Sequence, residues 1–456
     1  MKKNIVFITI DCLRNDSLGV NNKDVSTPFL DSMIRKGVYF PNAITASPWS
    51  GGAGPSIFTG TYPLQFGGEL SIKNRGKSFV EVFKENGFTT IGIHSNPFFT
   101  ADKQFDKGFD YFYDWYSSNI DAIYTVSSRS QLFSKLKLLL TKTKILQPFL
   151  GVVKKVLKKA SIVKPTNYAG VEVINQICKN AISFFRKKKQ KAPTFLWLHY
   201  MDAHEPITIP ESFQSPQIRE KVSRLNAIYR NPKIEKSEED KKNLKRLYHD
   251  SIGFLDTKLK EIFDYIDSII EGEIIYVITA DHGQSFGENG HFGHGILHSK
   301  ELLNVPLIIY SKNLGQERKY ENFVPLQAIG NVMLELAQCS SSIGSLSPFL
   351  SRQLEFTSPK HVISEEGRST EKDFMDKKGY RIKWDLRSFG IAKDNYIYSY
   401  YSQTKKERLF DTAAENYIPK GINYEKRLPI FRKILKQHLR DNHSRQNNSV
   451  VDNISI

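Results

Sequence analysis

Apolar residues recur along this chain in two rhythms. Short unbroken runs occur at 4–10, 89–94, 193–198, 274–278 and 305–310. They are rich in β-branched residues and too short for buried helices, so they predict strands covered on both faces. Between them the apolar positions fall on a helical period. Phe29, Leu30, Met33 and Ile34 share one face of a helix that Thr27 and Pro28 open and Gly37 closes. Further helices are predicted over 77–86, 167–186, 236–270 and 324–337. In the longest, Leu247, Ile252, Leu255, Leu259, Ile262 and Ile266 form the core face. Alternation of the two rhythms predicts an α/β fold, a doubly wound, mostly parallel sheet flanked by helices, over residues 1–345. The pattern then changes. Short polar-flanked strands at 361–364, 380–384, 388–392 and 395–401 predict a small C-terminal antiparallel α+β subdomain over 346–440, closed by a helix at 427–440. Residues 441–456, rich in Asn and Ser, read as a disordered tail.

The polar residues of interest sit where the apolar runs stop. Asp11 follows the first run. Asp202 and His204 follow the run at 193–198. Asp281 and His282 follow the run at 274–278, in a glycine-rich stretch that continues to His294. Open α/β sheets bind ligands at these strand ends. Carboxylates, imidazoles and a loop of small residues suit a metal-dependent hydrolase. Ser50 stands before Gly51-Gly52-Ala53-Gly54, where small residues let backbone approach a ligand closely. A helix starting there would favour an anion beside the hydroxyl. Alone, that stretch also fits an ordinary glycine loop. Together, the residues point to one divalent ion held by Asp11, Asp281 and His282, with Ser50 as nucleophile or as the carrier of one. Oxygen and imidazole donors suit Ca, Mn, Zn or Mg alike.

Composition narrows the setting. Three scattered cysteines, Cys12, Cys178 and Cys339, argue against a disulfide framework and predict a reducing, cytoplasmic location. No apolar run is long enough to cross a bilayer. The formal charge is +17, and residues 129–164 carry ten Lys/Arg and no Asp or Glu. There the lysines alternate with leucines and valines, as in basic helices that lie on anionic membranes, so a peripheral contact with the inner membrane face is one reading. An insertion that packs its leucines on the domain and solvates its lysines is the other. Aromatics for base stacking are scarce in this segment, so no nucleic-acid partner is expected.

Ordered blocks across most of the chain resemble the sulfatase family of the alkaline phosphatase superfamily: IVFITIDCLRNDSLG, STPFLDSMIRKGVYFPNAITASPWS, PSIFTGTYP, GFTTIGIHSNPFF, FDKGFDYF, FLWLHYMDAHEP, VITADHGQSFGENGHFGHG and LLNVPLIIY, with YIYSYYSQTKKERLFD near the end. The resemblance implies a metal-dependent hydrolase of a sulfate or phosphate ester. It implies Asp11, Asp281, His282 and Ser50 around the metal, and His204 and His294 at the leaving group or substrate. Arg14, Asp202 and His298 are weaker candidates for substrate contact. Two departures stand out. Cys12 replaces a second Asp. The family's Pro and Arg after the nucleophile, needed for conversion to formylglycine, are both absent after Ser50. An unmodified Ser50, with His282 beside Asp281, resembles the superfamily's phospho-ester enzymes. The family name therefore says sulfate ester, while the site leans to phosphate. The expected partner is a sulfated or phosphorylated small molecule, glycan or lipid headgroup. Two alternatives follow from the same residues: a phospho-alcohol transferase acting on a glycan or lipid at the membrane surface, and a catalytically decayed binding protein.

Overall fold

The computed structural model describes residues 2–65, 70–115, 168–188, 192–229, 231, 234–295, 297–314, 317–367, 387–402 and 404–443. The basic segment 129–164, the strand expected at 380–384 and the tail beyond residue 443 lie outside these residues.

Strand β1 (Asn4–Ile10) leads to α1 (Pro28–Lys36), β2 (Val38–Ile44) and α2 (Ser50–Thr59). Helix α3 (Phe79–Glu85) precedes β3 (Thr89–His94) and β4 (Tyr111–Asp114). Helix α4 (Val171–Lys188) feeds β5 (Thr194–Tyr200), and α5 (Val222–Tyr229) and α6 (Glu238–Ile269) lead to β6 (Ile274–Thr279). A small ribbon of β7 (Ser285–Phe286) and β8 (Phe292–Gly293) and the single turn α7 (Lys300–Leu303) precede β9 (Asn304–Tyr310). Then come β10 (Arg318–Lys319), β11 (Val324–Pro325) and α8 (Ile329–Leu336).

The large sheet has the order β10-β2-β9-β6-β1-β5-β3-β4, with β11 beside β2. Its centre is parallel: β6, β1, β5, β3 and β4 pair in one direction. Strand β9 runs against both β6 and β2. The cause is local. The segment after β6 never crosses the sheet, because the Gly283 N–H donates to the Leu302 carbonyl at 2.9 Å. The chain re-enters from the end at which it left, and that makes an antiparallel neighbour.

The central strands are buried along their whole length, as their unbroken apolar runs require. Helix α6 covers one face with Leu247, Ile252, Leu255, Leu259, Ile262 and Ile266. Ser237 and Asp240 cap its start reciprocally. From the same helix, Asp256 accepts the Phe29 and Leu30 N–H groups at 3.0 and 2.8 Å, so α6 caps α1. Helix α8 is shorter than the expected 324–337. Pro325 disfavours helical backbone at Val324, and the two residues pair with Ala43 and Ile44 of β2 instead.

After the large layer, β12 (Val362–Gly367), β13 (Arg387–Lys393), β14 (Tyr396–Tyr401), β15 (Lys406–Asp411) and β16 (Asn416–Tyr417) form an antiparallel sheet in sequence order. Helix α9 (Ile422–His443) covers it with Tyr424, Leu428, Phe431, Leu435 and Leu439, spaced as one helical face. The helix extends past the expected residue 440 and takes in the first three residues of the expected tail. The Glu365 N–H of β12 donates to the Ala46 carbonyl at 2.8 Å, which ties this sheet to the segment leading into α2. No helix among the described residues is long and apolar enough to cross a membrane.

Candidate active site

Ser50 is the first residue of α2, and the helix is built from unusually small residues. A Cβ on Gly54 would meet Phe99 at 2.3 Å, and one on Gly51 would meet Trp49 at 2.5 Å. The glycines thus let α2 sink against aromatic side chains and carry Ser50 into the interior. Pro55 lacks the N–H that would bond Gly51. The Gly51 carbonyl is satisfied by the Leu70 N–H at 2.8 Å, so the helix tolerates its proline.

Three strand ends meet at the Ser50 hydroxyl, and a fourth braces Asp11 behind it. The hydroxyl donates to Asp11 Oδ2 at 3.2 Å, after β1, and lies 3.2 Å from His282 Nε2, after β6. Asn96, after β3, donates through Nδ2 to Ser50 Oγ at 3.1 Å and to Asp11 Oδ2 at 2.7 Å. The Asn96 oxygen accepts the Phe98 N–H, which fixes the amide orientation. His199 of β5 stands 3.5 Å from Asp11 Oδ2, its Nδ1 paired with Thr9 Oγ1 at 2.7 Å. His282 Nδ1 faces the Gly283 carbonyl at 2.8 Å. A carbonyl only accepts, so Nδ1 carries the proton and Nε2 presents its lone pair to Ser50.

Asp11, Asp281 and His282 are buried, and Ser50 nearly so. Burial works to raise the Asp11 carboxyl. The His199 hydrogen bond and the His204 and His282 rings outweigh it and hold Asp11 well below the usual carboxylate range. Asp281 goes the other way: burial first, then the Asp11 charge, push it up. Two carboxylates buried side by side favour a cation between them. Asp281 Oδ2 has no hydrogen-bond partner among the described residues.

The next ring lies toward solvent. His204 is 22 % exposed at its side chain, and its ring packs edge-on against His294 with centroids 5.1 Å apart. Burial lowers the His204 pKa, but the Glu205 and Asp11 carboxylates and the Glu205 carbonyl outweigh it, so the net shift is upward. His204 Nδ1 is 2.5 Å from that carbonyl, which leaves Nε2 to handle a proton. His294 Nδ1 meets Gln284 Oε1 at 2.8 Å. Cys12, at φ 66°, turns its thiol into this ring. Burial, then Asp11, Glu205 and Asp281, push the thiol pKa up.

Three residues expected near substrate sit elsewhere. Arg14 is enclosed: its Nε and Nη2 donate to Asp16, and its Nη1 to Glu288 and to the Gln284 carbonyl. It braces the loop that carries His294. Arg14 lines a cavity of about 170 Å³ with Asp16, Lys300, Glu301, Asn304, Phe410 and Glu415, and Ser50 is not among its walls. His298 is buried against β13 and β14; the Ser399 hydroxyl donates to its carbonyl, and burial pushes its pKa down to about 3. Asp202 Oδ1 accepts the Val171 N–H at 3.0 Å and so caps α4.

Burial pushes Asp202 from the usual 3.8 up to about 7. The folded chain therefore keeps this proton between those values while the unfolded chain releases it, and stability falls as pH rises through that window. Asp202→Asn retains the cap acceptor without the charge. Thermal melts at pH 4 to 8 should show a flatter pH profile for the variant, and a higher melting temperature than the parent only above about pH 5. Parallel profiles would remove Asp202 as the source.

Asn96 and His199 belong to the site without carrying a motif in the sequence. His199 had a visible signal, an imidazole ending an otherwise apolar strand, since a buried polar group needs partners. Asn96 follows the strand 89–94 directly, at the same sheet edge as Asp11.

The family model described as Sulfatase matches residues 3–339. An arylsulfatase from Clostridium perfringens is 24% identical over 507 aligned positions, covering 96% of this chain and 95% of the relative. A protein solved in complex with its substrate D-glucosamine-2-N,6-O-disulfate superposes with a TM-score of 0.69 at 14% identity, covering 98% of this chain and 100% of that one. A phosphonate monoester hydrolase of Agrobacterium radiobacter superposes with a TM-score of 0.64 at 16% identity, each chain covered to 96%. These two structural likenesses speak to the fold.

Proposed function

The chain belongs to the sulfatase family of sulfuric ester hydrolases, and from that premise we propose that it cleaves a sulfate ester of a small molecule or glycan through a covalent intermediate on Ser50. The observation that carries this reading is the placement of Ser50 Oγ at 3.2 Å from both Asp11 Oδ2 and His282 Nε2.

The donor set fits one divalent cation. Asp11, Asp281, the His282 Nε2 lone pair and Ser50 Oγ would hold it, and the unpartnered Asp281 oxygen and the surplus of buried negative charge favour a positive ion there. When bound, such an ion lowers the pKa of a neighbouring hydroxyl and stabilises charge on sulfuryl oxygens.

The chain's own groups supply the rest. Asn96 Nδ2 holds the Ser50 oxygen by donating to it, so the hydroxyl proton points away toward Asp11. The N-terminus of α2 favours the anionic ester beside Ser50. Attack by Oγ, with its proton passing along the hydrogen bond to Asp11 Oδ2, forms the O–S bond and breaks the bond from sulfur to the alcohol oxygen. His204, whose pKa the Glu205 and Asp11 carboxylates raise against the effect of burial, is placed to deliver the proton that the leaving oxygen needs. His294 lines the same mouth. Water, giving a proton to the His204 ring that the first step left neutral, then attacks sulfur; the Oγ–S bond breaks, sulfate leaves and Oγ recovers its proton from Asp11.

The run Ser50-Gly51-Gly52-Ala53-Gly54 favours a second reading, a phosphate monoester as substrate, because it lacks the Pro and Arg that accompany formylglycine. Parallel assays on aryl sulfate and aryl phosphate, with the mass of the Ser50 peptide, decide between them. The proposal expects faster turnover of the sulfate. Turnover of the phosphate alone, with Ser50 unmodified, overturns it. Loss of about two mass units would show oxidation to formylglycine.

A further inference from the structure

We propose that Cys12, His204, Glu205 and His294 form a second metal site, for a thiophilic divalent ion such as zinc, and that its occupation switches the enzyme off. One ligand atom from each of the four residues lies within 4.8 Å of all the others. The set is a thiol, two imidazoles and a carboxylate. Zinc is bound by these donors at about 2.0–2.3 Å in tetrahedral sites, which places ligand atoms roughly 3.3–3.8 Å from one another. Cys12 Sγ stands 3.7 Å from His294 Nδ1, which binds an ion on giving up the proton it shares with Gln284 Oε1.

The backbone gives a second, independent observation. Cys12 occupies the left-handed region at φ 66°, where a residue with a Cβ is uncommon. Its carbonyl accepts from the Tyr248 hydroxyl at 2.8 Å, which helps hold this conformation. The strained turn aims the thiol away from the core and between Asp11, Gln284 and the two histidines His282 and His294. Strain of this kind persists where surrounding structure enforces it, and it gathers at functional sites.

Two adjoining sites would then sort metals by softness. The cluster around Asp11, Asp281 and Ser50 is rich in oxygen and suits a hard ion. The outer set contains the sulfur and suits zinc, cobalt or cadmium. Gln284 marks the boundary: its Oε1 contacts Cys12 and His294, while its Nε2 donates to Glu205 Oε2 at 2.7 Å. It orients three of the four ligands from a position that binds none of the inner donors.

The inhibitory half rests on the function proposed above. An imidazole bound to zinc cannot deliver a proton to a leaving oxygen, so an occupied outer site removes His204 and His294 from the reaction. The binding half stands on geometry alone.

Cobalt(II) tests the binding half without turnover. Titration of metal-stripped full chain with cobalt(II) should give a near-ultraviolet thiolate-to-cobalt charge-transfer band that saturates. The band should vanish in Cys12→Ser and in His294→Gln, and persist in Cys178→Ala, Cys339→Ala and Asp281→Ala. Its absence from the parent, or its survival in Cys12→Ser, overturns the site. For the inhibitory half, zinc should inhibit the parent, and Cys12→Ser should raise the half-inhibitory zinc concentration at least about tenfold. Equal zinc sensitivity overturns the switch. Because Asp281→Ala keeps the band yet loses the inner donor, failure of the inner site and failure of the outer site read out separately.

Discussion

Ser50→Ala lowers kcat/KM toward an aryl sulfate by on the order of 10⁴-fold or more, with little change in thermal stability. The size of the effect follows from the absence of a substitute. Two buried hydroxyls near these strand ends are committed: Thr45 Oγ1 donates to the Asp281 carbonyl, and Thr9 Oγ1 pairs with His199. Removing Oγ therefore removes the atom that bonds sulfur. Stability survives because Ser50 does not cap its helix through its side chain, and Asn96 keeps its bond to Asp11 Oδ2. The lost hydrogen bonds are worth about 1 kcal/mol each. Steady-state kinetics with a melt of each protein check both halves. A Ser50→Ala enzyme within about tenfold of the parent rate would mean that another group, or water, attacks the ester. Ser50→Cys offers a complementary case: the thiol keeps a nucleophile but is a softer metal ligand, so it should retain metal while losing most turnover.

The residues that converge on Ser50 were readable because each ends an element whose pattern is simple. Asp11, Asp281 and His282 follow runs that could only be central strands, and a parallel centre brings such ends to one edge. What the sequence hid depends on contacts across long separations. Arg14 has the charge expected of a residue that grips an anionic ester, yet its partner Glu288 is 274 residues away and consumes that charge internally. His298 lies near the glycine loop in sequence but against β14 in space, since the Ser399 that binds its carbonyl is 101 residues away. Asp202 ends a strand as Asp11 does. It faces α4, however, and spends its carboxylate on a helix N-terminus. The direction of β9 was hidden for a related reason. Its apolar run is compatible with either orientation, and only the tether from Gly283 to Leu302 decides it. Asn96 and His199 show the opposite failure. Their types and positions fitted the site, but neither an amide nor a strand imidazole announces a role until Asp11 and Ser50 are seen on either side of it.

Asp281→Ala abolishes turnover, and it also abolishes the stabilisation of the protein by manganese, calcium or magnesium. In metal-free protein the Asp281 carboxyl is raised by burial and by Asp11, so its ionised form opposes folding rather than supporting it. Stability in chelator therefore falls as pH rises from the unfolded carboxyl value toward the folded one. A cation bound between Asp11, Asp281 and His282 reverses this. Binding to the folded state alone adds about 4 kcal/mol when the ion is at 1,000 times its Kd. Asp281→Asn separates the two effects. Its oxygen can still accept the His282 N–H, now made by Asp281 Oδ1 at 3.0 Å, and the surplus charge is gone. In chelator at neutral pH, Asp281→Asn should melt no lower than the parent. On adding manganese, calcium or magnesium in turn, the parent's melting temperature should rise with at least one ion, while those of Asp281→Ala and Asp281→Asn should barely move. An equal rise in all three proteins would place the ion elsewhere and leave Asp281 without the role given to it. Loss of turnover with the metal response intact would make Asp281 a positioning residue for His282, whose backbone N–H it holds, and move the metal onto Asp11 and the histidines.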